Sequence, residues 1–141
     1  EGGREKAPAA ICRKIALAKI SGNMEIEIWG DGEQSRSFTY IDDCVCGTLE
    51  IMSGDYVDPV NLGSSELVTI NQLVDLVEEI AEITVVRKYN NTAPQGVRGR
   101  NSDNSEFLRR YGWEPSISLK SGLEKTYEWI YNQVKSKYGN L

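Results

Sequence analysis

The sequence predicts an α/β fold, a small mixed sheet with packed helices, and three stretches carry that prediction. Met24-Glu25-Ile26-Glu27-Ile28-Trp29 alternates apolar and polar residues, the period of a half-buried strand. Ile70, Leu73, Val74, Val77, Ile80 and Ala81 recur at helical spacing. In front of them, Thr69 and Gln72 have the spacing of a capping box, and Val68 and Leu73 that of a hydrophobic staple. Leu119, Leu123, Tyr127, Ile130 and Val134 line one face of a long final helix that runs to Gly139.

The other elements follow in chain order. Pro8 suits a first helical turn, and 9–20 place Ile11, Ile15 and Ala18 on one face, with Gly22 just past the end. After the alternating strand, Gly30-Asp31-Gly32 tolerates positive φ and Ser37-Phe38-Thr39-Tyr40-Ile41 resumes β-favouring residues, which predicts a hairpin. Asp42 is a good N-cap for a helix with Val45, Thr48, Leu49 and Met52 on one face, ending at Gly54. A short strand at 59–63 and a β segment at 83–89 come next, the latter followed by a loop at 90–96. Asp103 with Glu106 can cap a short helix that passes through Tyr111 and stops at Gly112.

A length of 141 residues is that of one ordinary domain, 1–141, with no repeat or linker inside it. The 40% hydrophobic and 26% charged fractions argue against wholesale disorder, and no apolar run approaches membrane-spanning length. A net charge of −5 argues against a nucleic-acid partner, whose phosphates demand clustered Lys and Arg. No leader pattern precedes the first helix. Three cysteines, an odd number, suggest reduced thiols and a cytoplasmic location. Cys44-Val45-Cys46 is an incomplete metal motif. The chain has no histidine, so proton transfer would fall to Lys, Tyr, Cys or a carboxylate.

Three basic sites stand where backbone turns or ends. Arg36, beside Gln34, Ser35 and Ser37, offers a guanidinium fork with amide and hydroxyl groups suited to phosphate or sugar oxygens; the same residues also describe a turn with an exposed arginine. Gly96-Val97-Arg98-Gly99-Arg100 combines close backbone approach with charge, and equally describes a solvated loop. Lys6, two residues before Pro8, sets a cation against the dipole of a helix start, or is simply a flexible surface lysine. Tyr131-Asn132-Gln133-Val134-Lys135 spells Y-x-x-x-K with no Gly-rich nucleotide fingerprint ahead of it, and reads as surface of the last helix.

Taken together, "GGREKAPAAICRK", "WGDGEQSRSFTYIDDCV", "VNLGSSE", "GVRGRNSDN" and "GWEPSISLKSGLEKTYEWI" resemble, in this order, the C-terminal part of the GDP-mannose 3,5-epimerase family. Those enzymes are extended short-chain dehydrogenases/reductases of the NAD-dependent epimerase/dehydratase kind. The resemblance implies a C-terminal substrate-binding portion that lacks the N-terminal Rossmann half. It also implies Lys6 as a catalytic acid/base, with Glu5, Ala7 and Lys14 lining the substrate. By the same likeness Gln34, Ser35, Arg36, Ser37 and Arg100 hold the GDP moiety. NAD is the cofactor of the full-length family, and none is expected on this chain alone. The implied partner is GDP-mannose or a related GDP-sugar, with self-association, as a dimer, covering an apolar face. Ser35, Tyr40 and Cys46 stand where the family usually has Thr, Phe and an acidic residue. No G-x-x-G-x-x-G fingerprint, correctly placed catalytic Tyr-x-x-x-Lys or base cysteine is found, so the chain alone is expected to be inactive. The alternatives are a stand-alone nucleotide-sugar-binding or oligomerising module, and the substrate domain of another nucleotide-sugar epimerase or dehydratase.

Overall fold

A computed structural model of the chain describes residues 5–139. Helix α1 (Ala7–Ser21) starts with Lys6 at its N-cap and a proline in its first turn. Gly22, at φ 75°, closes it in the left-handed conformation that a side chain would strain. Helix α3 (Ile70–Ala81) opens with the predicted capping box in full. The Thr69 hydroxyl accepts from the Gln72 N–H at 3.0 Å, and the Gln72 amide oxygen accepts from the Thr69 N–H at 2.8 Å. Helix α5 (Leu119–Tyr138) is capped by Ser118, whose hydroxyl accepts from the Ser121 N–H. The apolar faces of these three helices meet in one core: Ile11, Ile15 and Ala18 of α1, Leu73, Val74 and Val77 of α3, and Leu123, Tyr127 and Val134 of α5 are all buried.

Two small sheets border that core. Strand β1 (Glu25–Trp29) pairs in parallel with β4 (Val86–Asn90), with Glu27 opposite Lys88 and Trp29 opposite Asn90. Its alternation works as the sequence predicts: Ile26 and Ile28 enter the core, while Glu25, Glu27 and Trp29 form the outer face. The second sheet has the order β3-β2-β5. Here β2 (Ser35–Ser37) runs antiparallel to β3 (Leu67–Thr69) and parallel to β5 (Gly99–Arg100). The fold is thus α/β with helices packed on small sheets, as expected, but there are two sheets among the described residues where one was predicted, the first parallel and the second mixed.

Several expectations need correction. The strands flanking Gly30-Asp31-Gly32 do not form a hairpin, because the turn carries the chain from one sheet into the other. The second strand ends at Ser37 instead of Ile41, and the next helix, α2 (Ile41–Ser53), is preceded by Tyr40 without a side-chain cap. Asp43, inside its first turn, instead accepts the backbone N–H groups of Ser116 and Ile117 at 2.9 and 2.8 Å, tying α2 to the entrance of α5. Residues 59–63 take no strand partner among the described residues. The short helix α4 (Ser105–Tyr111) starts behind Asn104, whose buried amide donates to the Gly63 carbonyl at 2.7 Å. The apolar face of α2 is exposed: Ile41, Val45, Leu49 and Met52 face solvent, while Gly47 packs on Leu62.

Candidate nucleotide-binding site

The C-terminal end of β1, the start of α1, Gln34 and Arg36, and Pro94 and Gln95 line a cavity of about 250 Å³, with Arg100 outside the lining. Five of the residues singled out from sequence line it: Glu5, Ala7, Lys14, Gln34 and Arg36. Pro8 begins α1 so that Ala7, Ala10 and Lys14 share the face turned to β1, and the Lys14 ammonium donates to the Glu27 carbonyl at 2.5 Å. Partial burial lowers its pKa. The Glu27 charge opposes that shift, Arg13 adds to it, and Glu5 opposes it.

Gln34 is buried, and its amide donates to the Trp29 carbonyl at 2.8 Å. That bond fixes the amide's orientation and leaves Gln34 Oε1 buried without a hydrogen-bond partner. A buried acceptor without a donor is costly, so this oxygen suits a ligand N–H or O–H.

Arg36 lies on β2, the central strand of its sheet. Its guanidinium donates to the Ser35 carbonyl at 2.6 Å and to the Val97 carbonyl, which commits two of its five N–H groups. Arg100 on β5 is its register partner, so the two side chains share one face of the strand pair. The approach of the two strands depends on Gly99, where a Cβ would lie 3.1 Å from Ser35 Oγ. Ser35 and Ser37 are half-buried on β2, outside the cavity lining. Lys6 is exposed and also outside that lining, although its two sequence neighbours belong to it.

The charges sort themselves in a telling way. Arg13 pairs with Glu5 at 2.7 Å, and Arg98 pairs with Asp31 at 2.8 Å. Neither Arg36 nor Arg100 pairs with a carboxylate among the described residues. Two adjacent uncompensated guanidinium groups repel each other and together suit a doubly charged anion.

Sequence reasoning missed Glu27, Trp29, Arg13 and Gln95, which also line the cavity. Trp29 had a signal available, since the strand alternation puts a large aromatic on the polar face. It is half-exposed there, its indole N–H donating to Glu27 Oε2 at 3.0 Å. Hydrogen bonds from Asn90 and then Trp29 lower the Glu27 pKa. Gln95 had none, being a loop residue whose side chain donates to the Asn91 carbonyl at 3.3 Å and packs over Gly30. Tyr131 of the Y-x-x-x-K spacing stacks on Tyr127, with ring centroids 5.8 Å apart, and Lys135 is exposed, so the pair belongs to the packing and surface of α5.

Comparison with known proteins finds relatives over nearly the whole chain. A family model described as "NAD dependent epimerase/dehydratase family" matches residues 1–63. Over 137 residues the chain is 46% identical to GDP-mannose 3,5-epimerase of Arabidopsis thaliana, which covers 97% of this chain and 35% of that protein. The chain is a relative of the NAD-dependent epimerase/dehydratase family. It is also 36% identical to GDP-L-fucose synthase 1 of Arabidopsis thaliana, over 89% of its own length and 39% of the other's. Among solved structures, UDP-glucose 4-epimerase with UDP-glucose from Thermotoga maritima superposes with a TM-score of 0.82 at 29% identity. That match covers 94% of this chain and 41% of that one. UDP-glucuronic acid 4-epimerase of Bacillus cereus, in complex with UDP-glucuronic acid and NAD, gives 0.78 at 27% identity, over 94% of this chain and 43% of that one. The chain therefore spans little more than a third of the curated relatives it matches.

The family name implies NAD, whose pyrophosphate needs a dinucleotide cradle. The Gly-rich turn after β1 leads into β2, not into a helix whose N-terminus would face a pyrophosphate. The space that a Cβ would occupy at Gly30 and Gly32 is filled by the side chains of Gln95 and Asn71. This turn does not fit the cofactor's pyrophosphate. No helix among the described residues is long and apolar enough to cross a membrane.

Proposed function

We propose that this chain is the substrate-binding part of a GDP-mannose 3,5-epimerase-like enzyme and holds the nucleoside diphosphate of a GDP-sugar. The single observation that carries the reading is the uncompensated Arg36–Arg100 pair beside a cavity with a buried, unpartnered acceptor. Each guanidinium can form charge-assisted, bidentate hydrogen bonds to phosphate oxygens, and two such forks match the two phosphates of a diphosphate. A cavity of about 250 Å³ lies at the small end of ligand sites, so it takes one end of the nucleotide sugar while the diphosphate lies over the arginines.

In this reading Glu5, Ala7, Lys14, Gln34 and the arginine pair bind substrate, Ser35 and Ser37 alternate with Arg36 on β2 and point to its other face, and Lys6 is the group that exchanges a proton with the sugar. An exposed lysine with no partner base does not complete an epimerisation, so this chain alone binds without turning over. Calorimetric titration with GDP and UDP tests the reading. GDP is expected to bind more tightly than UDP, and Arg36→Ala or Arg100→Ala should weaken it. Absence of binding by either nucleotide would overturn the reading, and preference for UDP would move the chain to another nucleotide-sugar branch.

One further observation favours self-association. The exposed α2 stripe of Ile41, Val45, Leu49 and Met52 is an apolar face at helical spacing that water does not favour. A second copy covers it in a two-fold dimer. Sedimentation should show a dimer that Leu49→Glu dissociates; a wild-type monomer at working concentration would contradict this.

A further inference from the structure

We infer that the Arg98–Asp31 ion pair is a latch that holds residues 94–98 as the outer wall of the nucleotide site, which makes both residues positioning residues for that site. The inference rests on the reading of the cavity given above and deepens it by naming what controls ligand exit.

The segment is a strap docked on the Gly30-Asp31-Gly32 turn by few contacts. Arg98 Nη1 lies 2.9 and 2.8 Å from the two carboxylate oxygens of Asp31. The Gln95 side chain sits over Gly30, where a Cβ would come within 2.7 Å of it, and Gly30 itself is at φ 78°. Val97 contributes its carbonyl to the Arg36 guanidinium, and the Arg98 carbonyl accepts the Ser35 N–H at 2.9 Å. Gly96, at φ 69°, lets the strap bend between these anchors.

The strap's inner side matters to the site. Pro94 and Gln95 line the cavity opposite α1, and β5, which carries Arg100, begins directly after Arg98. Releasing Arg98 would therefore free one cavity wall and loosen the register that sets Arg100 beside Arg36. The latch residues do not line the cavity themselves. Both are largely solvent-exposed, Arg98 at 64% and Asp31 at 46%. An exposed pair is individually weak, so the latch opens readily enough to let a bound ligand leave past residues 94–98. Asp31 also removes the one arginine of the 98–100 run that would compete with its neighbours for the diphosphate.

The test uses GDP carrying a fluorescent methylanthraniloyl group and measures its dissociation rate by stopped flow. Arg98→Ala is expected to raise that rate about threefold or more, with the thermal midpoint unchanged. The charge-swapped double variant Asp31→Arg with Arg98→Asp should restore it. An unchanged rate in Arg98→Ala, or a double variant as fast as the single one, overturns the latch. Hydrogen exchange on the ligand-free chain provides the independent arm. Arg98→Ala should speed exchange of the Ser35 amide, and unchanged exchange overturns the latch. A wild-type chain that binds no GDP sinks the nucleotide reading instead, and the latch is then judged on the exchange result alone.

Discussion

Arg36 on β2 and Arg100 on β5 are register partners in a parallel strand pair, and neither is paired with a carboxylate among the described residues. Like charges placed opposite each other in a sheet oppose folding, so their retention side by side is a local conflict of the kind that marks a binding site. Arg100→Ala should leave the urea midpoint unchanged or raise it, because only repulsion is lost. A clear fall in the midpoint would show that Arg100 acts as a structural residue.

Strong acid should weaken α4. Glu106 is held at about 2, below its usual 4.5, by hydrogen bonds from Arg109 and Arg110. A carboxyl whose folded value is depressed contributes stability that is present above 4.5 and lost as pH falls toward about 2. The cluster is open to solvent, which screens it, so the effect is small. Urea midpoints at pH 7 and pH 3 should therefore converge slightly between wild type and Glu106→Gln. A gap that widens on acidification would contradict this.

The cysteines should react in order of exposure. Burial pushes the Cys12 thiol up to about 12, and the residue is completely buried against the α1–α3–α5 core. Its neutral form is favoured by folding, so that stability is complete below about 9 and is lost as pH rises toward 12. With an aromatic disulfide reagent at pH 8, exposed Cys46 should react fast and half-buried Cys44 more slowly. Cys12 should react only after unfolding. Early labelling of Cys12 in the native chain would refute the packing of α1.

Much of the fold and part of the site were legible in the residues. Local rules were sufficient wherever a segment settles its own structure: the Thr69–Gln72 capping box, the Gly22 stop and the apolar face of α5 all stand as read. They failed where partners are distant. Gly30-Asp31-Gly32 has the chemistry of a hairpin turn, but β1 finds β4 some sixty residues away, and only tertiary pairing decides between the two. The α2 stripe was legible as a face but not as an exposed one, because periodicity does not say what covers a helix. Resemblance brought Lys14, Gln34 and Arg36 to one cavity, whereas Gln95 enters it through a loop conformation that no local pattern encodes.

Core truncation should be severe and uniform in kind. Leu73 is fully buried in the core that α1, α3 and α5 share, so Leu73→Ala should cost about 2–5 kcal/mol in urea unfolding, by lost transfer energy and a residual cavity. Gly32→Ala should also destabilise the chain. The left-handed φ of 77° strains an alanine, and its Cβ would meet the Asn71 amide at 2.3 Å. Near-neutral behaviour at Gly32 would mean that the turn relaxes.

The central claim is that Arg36 and Arg100 together hold a diphosphate, and comparing the affinities of GDP and GMP for the same chain tests it most directly. Hydrogen bonds to charged groups contribute about 1.5–3 kcal/mol each, so GDP should bind roughly ten- to a hundredfold more tightly than GMP. That gap should collapse in Arg36→Ala and in Arg100→Ala. Equal affinity for GDP and GMP in the wild-type chain, or a gap that survives both substitutions, would contradict the account.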